Sequence, residues 1–195
     1  MRKLVRVLVF CMSMIAFLAA PAFAKEGFYI GFGLDYVSVE GSDPWWDTVE
    51  SGAGFDAKLG WDFGPVAIES TLLGSNHNDT AAGYGDGDFS GLTLDLRVLF
   101  GPSDLPTRGF LLVGFGRYAF EQYDPNYDDE VILRGDGFNI GGGVEHYFNR
   151  VLALDARAVY RVITYDEVEV YGDTVSIDDM DSDMFNLSIG LSVHF

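Results

Sequence analysis

Cysteine is almost missing from this sequence. The chain of 195 residues holds one, Cys11. It lies in an apolar stretch at the amino terminus, so the rest of the chain has neither a disulfide framework nor a thiolate metal site. Positive charge is scarce as well. Twelve Lys and Arg stand against 30 Asp and Glu, a formal net charge of −18. Such a chain repels phosphate, which excludes a nucleic-acid binder. Long apolar runs are absent after the first 24 residues, and nothing there approaches the roughly 20 residues of a membrane helix. The chain beyond residue 24 is either soluble or crosses a membrane as strands.

The single long apolar run opens the chain. Arg2, Lys3 and Arg6 precede it, and it closes on Ala22-Phe23-Ala24, a small-x-small cleavage pattern. Residues 1–24 therefore read as a cleaved secretory signal peptide, leaving one domain over 25–195. Phe10 is too large for a lipoprotein cut at Cys11.

The rest is rich in period-two alternation at about ten residues per segment, the length of a membrane strand. Eight segments are expected, at about 28–40, 53–63, 66–74, 89–100, 109–121, 137–148, 151–165 and 184–195. In the first, Phe28, Ile30, Phe32, Leu34 and Tyr36 share one face, and Gly31, Gly33 and Asp35 the other. In the fifth, Leu111, Val113 and Phe115 share a face, which sends Arg117 outward with them. In the last, Phe185, Leu187, Ile189, Leu191, Val193 and Phe195 oppose Asn186, Ser188, Gly190, Ser192 and His194. Connections alternate between short (Gly64-Pro65, 101–108, Asn149-Arg150) and long and acidic (41–52, 75–88, 122–136, 166–183). That asymmetry is how outer-membrane barrels are built.

Alternation alone also fits a soluble lipocalin-like barrel. The polar face decides between the two. It holds Gly31, Gly33, Gly60, Gly141, Gly143 and Gly190, which a water-facing surface does not need. The crowded interior of an eight-stranded barrel does need them. Aromatics fall at both strand ends: Phe28, Phe63, Phe100, Phe148 and Phe195 at one rim, and Tyr36, Phe55, Phe138, Tyr160 and Phe185 towards the other. Two aromatic girdles mark two membrane interfaces. The expected fold is an all-β, eight-stranded, antiparallel, up-and-down transmembrane barrel.

The opening FYIGFGLDY and the closing LSIGLSVHF, with Phe195 at the carboxyl end, resemble the first and last strands of the OmpA/OmpX-like family of small outer-membrane barrels. The resemblance implies outer-membrane location in a Gram-negative cell. It also implies recognition of the Phe195 strand by the assembly machinery, and contact with outer-membrane lipids and lipopolysaccharide. A monomer is expected.

The inward face carries Asp35, Asp56, Asp62, Glu69, Asp95, Glu145 and Asp155 together with Lys58, Arg97, Arg157 and Arg161. Buried charges must pair. Glu69, Asp95, Arg97, Glu145, Asp155, Arg157 and Arg161 are expected to form a salt-bridged network that plugs the lumen. A narrow porin-like channel is the alternative, with the same charges setting selectivity.

Little points to catalysis. His77 reads as a loop histidine, and His146 and His194 as strand histidines, without a visible set of nucleophile, base and orienter. A lipid-modifying enzyme is the remaining alternative, and no cofactor is implied. Divalent cations could gather at two acidic loops, one with Asp124, Asn126 and Asp128, the other with Asp178, Asp179 and Asp181. The first lacks the Gly and final Glu of an EF-hand. Trp45 and Trp46 suit either an adhesive patch or the upper interface. The function expected is structural or surface-interacting.

Overall fold

The computed structural model describes residues 26–41, 46, 48–78, 85–101, 105–124 and 129–195. The leader 1–24, Trp45, Asn126 and Asp128 lie outside the described residues, as do the side chains of Asp124, Asp178 and Asp179.

Eight strands follow one another: β1 (Gly27–Gly41), β2 (Gly52–Asp62), β3 (Val66–His77), β4 (Gly87–Phe100), β5 (Thr107–Asp124), β6 (Asp129–Tyr147), β7 (Leu152–Val170) and β8 (Asp173–His194). Each pairs antiparallel with its sequence neighbours, and β1 pairs with β8 to close the barrel. Followed from partner to partner, Phe28 leads through Trp61, Ile68, Leu96, Val113, Ile140, Tyr160 and Phe185 back to Ser38. The ladder thus returns ten residues further along β1. This stagger tilts the strands, and with eight of them it leaves a narrow interior.

The faces are as the alternation predicts. Phe32 is 67% exposed and Leu34 71%, while Tyr29 and Asp35 on the opposite face are buried. A large, continuous apolar face turned outward suits hydrocarbon and not water. Closure satisfies every strand edge within that band, which a membrane requires. Phe63, Phe100, Phe148 and Phe195 lie exposed at the lower rim, where β1 begins. Tyr36, Phe55, Phe115, Phe138, Tyr160 and Phe185 lie exposed in an upper ring.

The strands run further than the sequence pattern predicts. The segments 122–136 and 166–183 are not long loops. β5 and β6 continue to Asp124 and from Asp129, and β7 and β8 meet at Tyr171-Gly172. Both turn residues have positive φ, 56° and 78°. That is the mirror-image two-residue turn whose twist matches a hairpin. From Val162 to Val170, β7 adds eight residues, about 26 Å of strand. Above the apolar band, β5–β8 therefore continue as a four-stranded sheet. Register shifts at Arg134/Gly135 and Tyr165/Glu167 mark bulges where this sheet leaves the barrel.

Candidate functional site

The lumen is layered. Its lower half holds most of the charges. Glu69 on β3 is wholly buried. It accepts from Arg157 Nη1 at 2.6 Å, Tyr29 Oη at 2.7 Å and Arg97 Nη1 at 3.2 Å. Arg97 Nη2 reaches Glu145 Oε2 at 2.9 Å, and its guanidinium lies 4.0 Å from the Phe110 ring centre. Asp155 Oδ1 accepts from Lys58 Nζ at 2.8 Å and Arg157 Nε at 3.0 Å. These groups come from strands all around the wall, so the network crosses the barrel from side to side. Each carboxylate meets planar or ammonium donors at charge-assisted distances.

One member is hidden in the sequence. Arg108 reads as the end of a turn, yet it lies inside and is buried. Its Nε donates to Glu145 Oε1 at 2.9 Å, and its Nη2 to Asp62 Oδ2 and to Tyr147 Oη, both at 2.7 Å. Parity could have found it. If Leu111, Val113 and Phe115 point out, then Arg108, Phe110 and Leu112 point in.

The middle of the lumen is polar and small. Asp95 accepts from Thr93 Oγ1 at 2.6 Å and from Asn139 Nδ2 at 2.9 Å, and Tyr118 donates to Asn139 Oδ1. Arg161 is buried here, beside Tyr118 and Asp95. Asp56 accepts from Ser188 Oγ at 2.7 Å.

The upper half is apolar. Val37, Val39, Leu73, Phe89, Tyr118, Phe120, Ile163, Tyr165 and Met184 form one buried cluster, and Trp46 from the first connection closes over it. The Trp46 ring sits 5.1 Å from Phe120, edge to face, and 5.6 Å from Tyr165, stacked. A polar-in rule misses this layer, because above the band the inside of the sheet is a small core of its own.

His77 is a correction. It is not a loop residue but the last residue of β3, fully buried. Its Nδ1 lies 2.9 Å from the Glu50 carbonyl oxygen and its Nε2 lies 2.8 Å from Ser75 Oγ. The carbonyl holds the ring with Nδ1 protonated, so Nε2 of the neutral ring accepts the serine hydroxyl. The third group is a carbonyl and not a carboxylate, so it orients the ring without balancing an imidazolium charge. His146 bonds Thr107 Oγ1 at 2.8 Å, and His194 stacks on Tyr29 at 4.9 Å.

Outside, Arg117 faces away from the lumen as its parity requires. It pairs with Glu167 at 3.0 Å, just above the upper aromatic ring, and Arg134 pairs with Glu169 at 2.7 Å. Of the acidic candidates for divalent cations, Asp181 is exposed on β8 and accepts from Thr164 Oγ1 at 2.8 Å. Among the described residues, no three His, Asp or Glu side chains gather as a metal site.

Among the described residues, the β8 edge of the upper sheet is unpaired. β1 pairs with β8 only as far as Gly41 with Ser182. Among the described residues, β8 before Ser182 pairs with β7 alone, through Asp173–Ser176, Met180 and Asp181, with a bulge between them. Residues 171–176 there are exposed.

The chain matches the family model of the outer membrane protein beta-barrel domain over residues 9–195. No curated protein matches it. Among solved structures it is similar to Neisserial surface protein A, at 16% identity and a TM-score of 0.59, over 87% of this chain and 97% of that one. It is also similar to Ail, the attachment invasion locus protein of Yersinia pestis, at 15% identity and a TM-score of 0.56, over 87% and 99%. The outer membrane protein OprG from Pseudomonas aeruginosa gives 13% identity and a TM-score of 0.54, over 87% and 96%. At these identities the likeness is one of fold.

Proposed function

Since the chain belongs to the family of the outer membrane protein beta-barrel domain, we propose that it is a sealed anchor displaying an acidic β-sheet outside the cell, whose free β8 edge takes a strand from a basic partner. The single observation that carries this reading is the β8 edge from Asp173 to Asp181, which among the described residues pairs with no strand but β7. An exposed edge is a template for strand addition, in which main-chain hydrogen bonds supply affinity. The sequence of this segment, DTVSIDDMD, is acidic. Acidity repels a second copy of the same edge and selects an extended segment rich in Lys or Arg.

Two features support sealing. The ion-paired network fills the lower lumen, and the Trp46 cluster fills the upper. Neither layer would be needed if the barrel were a conduit.

The test uses whole barrels in lipid vesicles and a panel of basic β-forming peptides, read by binding and by amide exchange. The edge strand should gain protection when peptide binds. Ser176→Pro and Ile177→Pro each remove one backbone donor. The one whose N–H faces outward should abolish binding while the barrel stays folded. Equal binding by the wild type and both variants, or protection appearing elsewhere, would reject the edge as the site.

Phe195 carries a second expectation. Its N–H donates to the Phe28 carbonyl at 2.8 Å, at the seam where β8 meets β1. Deleting it should lower outer-membrane assembly in cells several-fold, yet leave refolding of purified protein in detergent near normal. Equal loss in both settings would make Phe195 a stability residue and not an assembly signal.

A further inference from the structure

The charges inside the barrel do not balance. Among the described residues, the buried lumen cations are Lys58, Arg97, Arg108, Arg157 and Arg161. The buried lumen carboxylates are Asp35, Asp56, Asp62, Glu69, Asp95, Glu145 and Asp155. Four cations and four anions account for one another in the lower layer: Lys58, Arg97, Arg108 and Arg157 with Asp62, Glu69, Glu145 and Asp155. Arg161 lies within electrostatic reach of Asp95. Asp35 and Asp56 are left over.

Asp35 and Asp56 sit diagonally across β1 and β2, and both point inward. Asp35 is 7% exposed and Asp56 4%. Asp35 Oδ1 has no hydrogen-bond partner. Asp56 Oδ1 has only Lys58 Nζ, at 3.3 Å, and that ammonium is closer to Asp155, at 2.8 Å. Two neighbouring carboxylates away from bulk water either share a proton or take a counter-charge. A neighbour supplies oxygen: Ser188 Oγ donates to Asp56 Oδ2 at 2.7 Å. Gly33 makes the arrangement possible. A Cβ there would come within 2.6 Å of Asp56 Oδ2 and 2.8 Å of Ser188 Oγ.

We propose that Asp35 and Asp56, with Ser188 Oγ beside them, bind one hard divalent cation of the calcium type inside the barrel. The chemistry is specific in three respects. The donors are oxygens, as Ca²⁺ requires, and two bidentate carboxylates with Ser188 Oγ give five of its six to eight ligands, water supplying the rest. The site is irregular, which Ca²⁺ tolerates and Mg²⁺ does not. A divalent ion cancels both excess charges, whereas a proton shared between the carboxyls cancels one. The site is separate from the acidic loops, where any ion is open to solvent. With the network below it and the Trp46 cluster above, the ion enters as the barrel closes and leaves slowly.

The test is to refold the full barrel in detergent with calcium chloride or with a chelator, wash both with chelator to strip surface ions, and count metal by elemental mass spectrometry. The wild type folded with calcium should retain about one ion per barrel and melt higher than the wild type folded in chelator. The Asp35→Asn/Asp56→Asn double variant should retain none and melt at one temperature in both media. Absence of retained calcium in the wild type, with equal melting in the two media, would overturn the proposal in favour of a shared proton. Equal retention by the double variant would overturn it by placing the ion elsewhere. If the double variant does not fold, Asp35→Asn alone is counted, and undiminished calcium there overturns the proposal equally. Magnesium in place of calcium should leave the wild type without a retained ion.

Discussion

Replacing Glu69 with alanine should destabilise the barrel in lipid by about 3–5 kcal/mol, the cost of breaking a buried charge cluster by removing one partner. Glu69 is the point on which the lower network converges. Arg157, Arg97 and Tyr29 all donate to it, and it has no exposure. Without it, two guanidinium groups keep their charge in a space that water hardly reaches, and the Tyr29 hydroxyl loses its acceptor. Arg157→Ala should cost less. Glu69 would still hold Arg97 and Tyr29, and Asp155 would still hold Lys58. Glu69→Gln should fall between the two, since it keeps the shape and loses the charge. Urea unfolding in vesicles ranks all three. A loss below about 1 kcal/mol for Glu69→Ala would mean that water solvates these charges, so that the lumen is wet and not packed.

The second large effect is expected at Gly60. Its place on β2 faces the Tyr29 ring, and a Cβ there would overlap Tyr29 Cζ. The ring cannot retreat. It stacks on His194 at 4.9 Å and donates to Glu69 at 2.7 Å. Gly60→Val therefore has to push Tyr29 off Glu69. Overpacking costs about 1–3 kcal/mol, and a lost bond to a charged acceptor about 1.5–3 kcal/mol. The two are coupled, so their sum is an upper bound. The heat-modifiable, compact species on an unboiled gel should be strongly depleted. Tyr29→Ala in the same chain should recover part of the loss, because it opens the space that the valine needs. Additive losses in the double variant would show that the two positions do not meet.

Much of this is legible in the sequence, and the reasons are specific. Period two is a strong signal when one face meets hydrocarbon, so the lipid-facing band and all seven inward carboxylates can be assigned by parity. Arg117, outward against expectation for a charge, also obeys parity and finds Glu167. Equating polarity with loop is what fails. Glu167 and Glu169 alternate with Val168 and Val170, and Thr174 and Ser176 alternate with Val175, yet the acidic density of 166–183 reads as a loop. The turn that joins them is Tyr171-Gly172, which lacks the Asn-Gly or Asp-Gly signature of such hairpins. His77 escapes for the same reason, since Ser-Asn-His-Asn looks like a turn and contains the buried end of β3. Arg108 escapes because Phe110 and Leu112 come after it on the inward face, and apolar residues pointing inward blur the alternation. They pack beneath the Arg97 guanidinium and against the lower wall, which no single strand's pattern reveals.

A closed lumen is the central claim. Its most direct test is single-channel recording of the refolded barrel in planar bilayers. A closed barrel gives a flat baseline at physiological salt, and the same flat baseline after Trp46→Ala, because the ion-paired layer below still seals it. A steady, voltage-independent current from the wild type, carried by cations as the acidic interior would dictate, would contradict sealing and make the barrel a narrow channel.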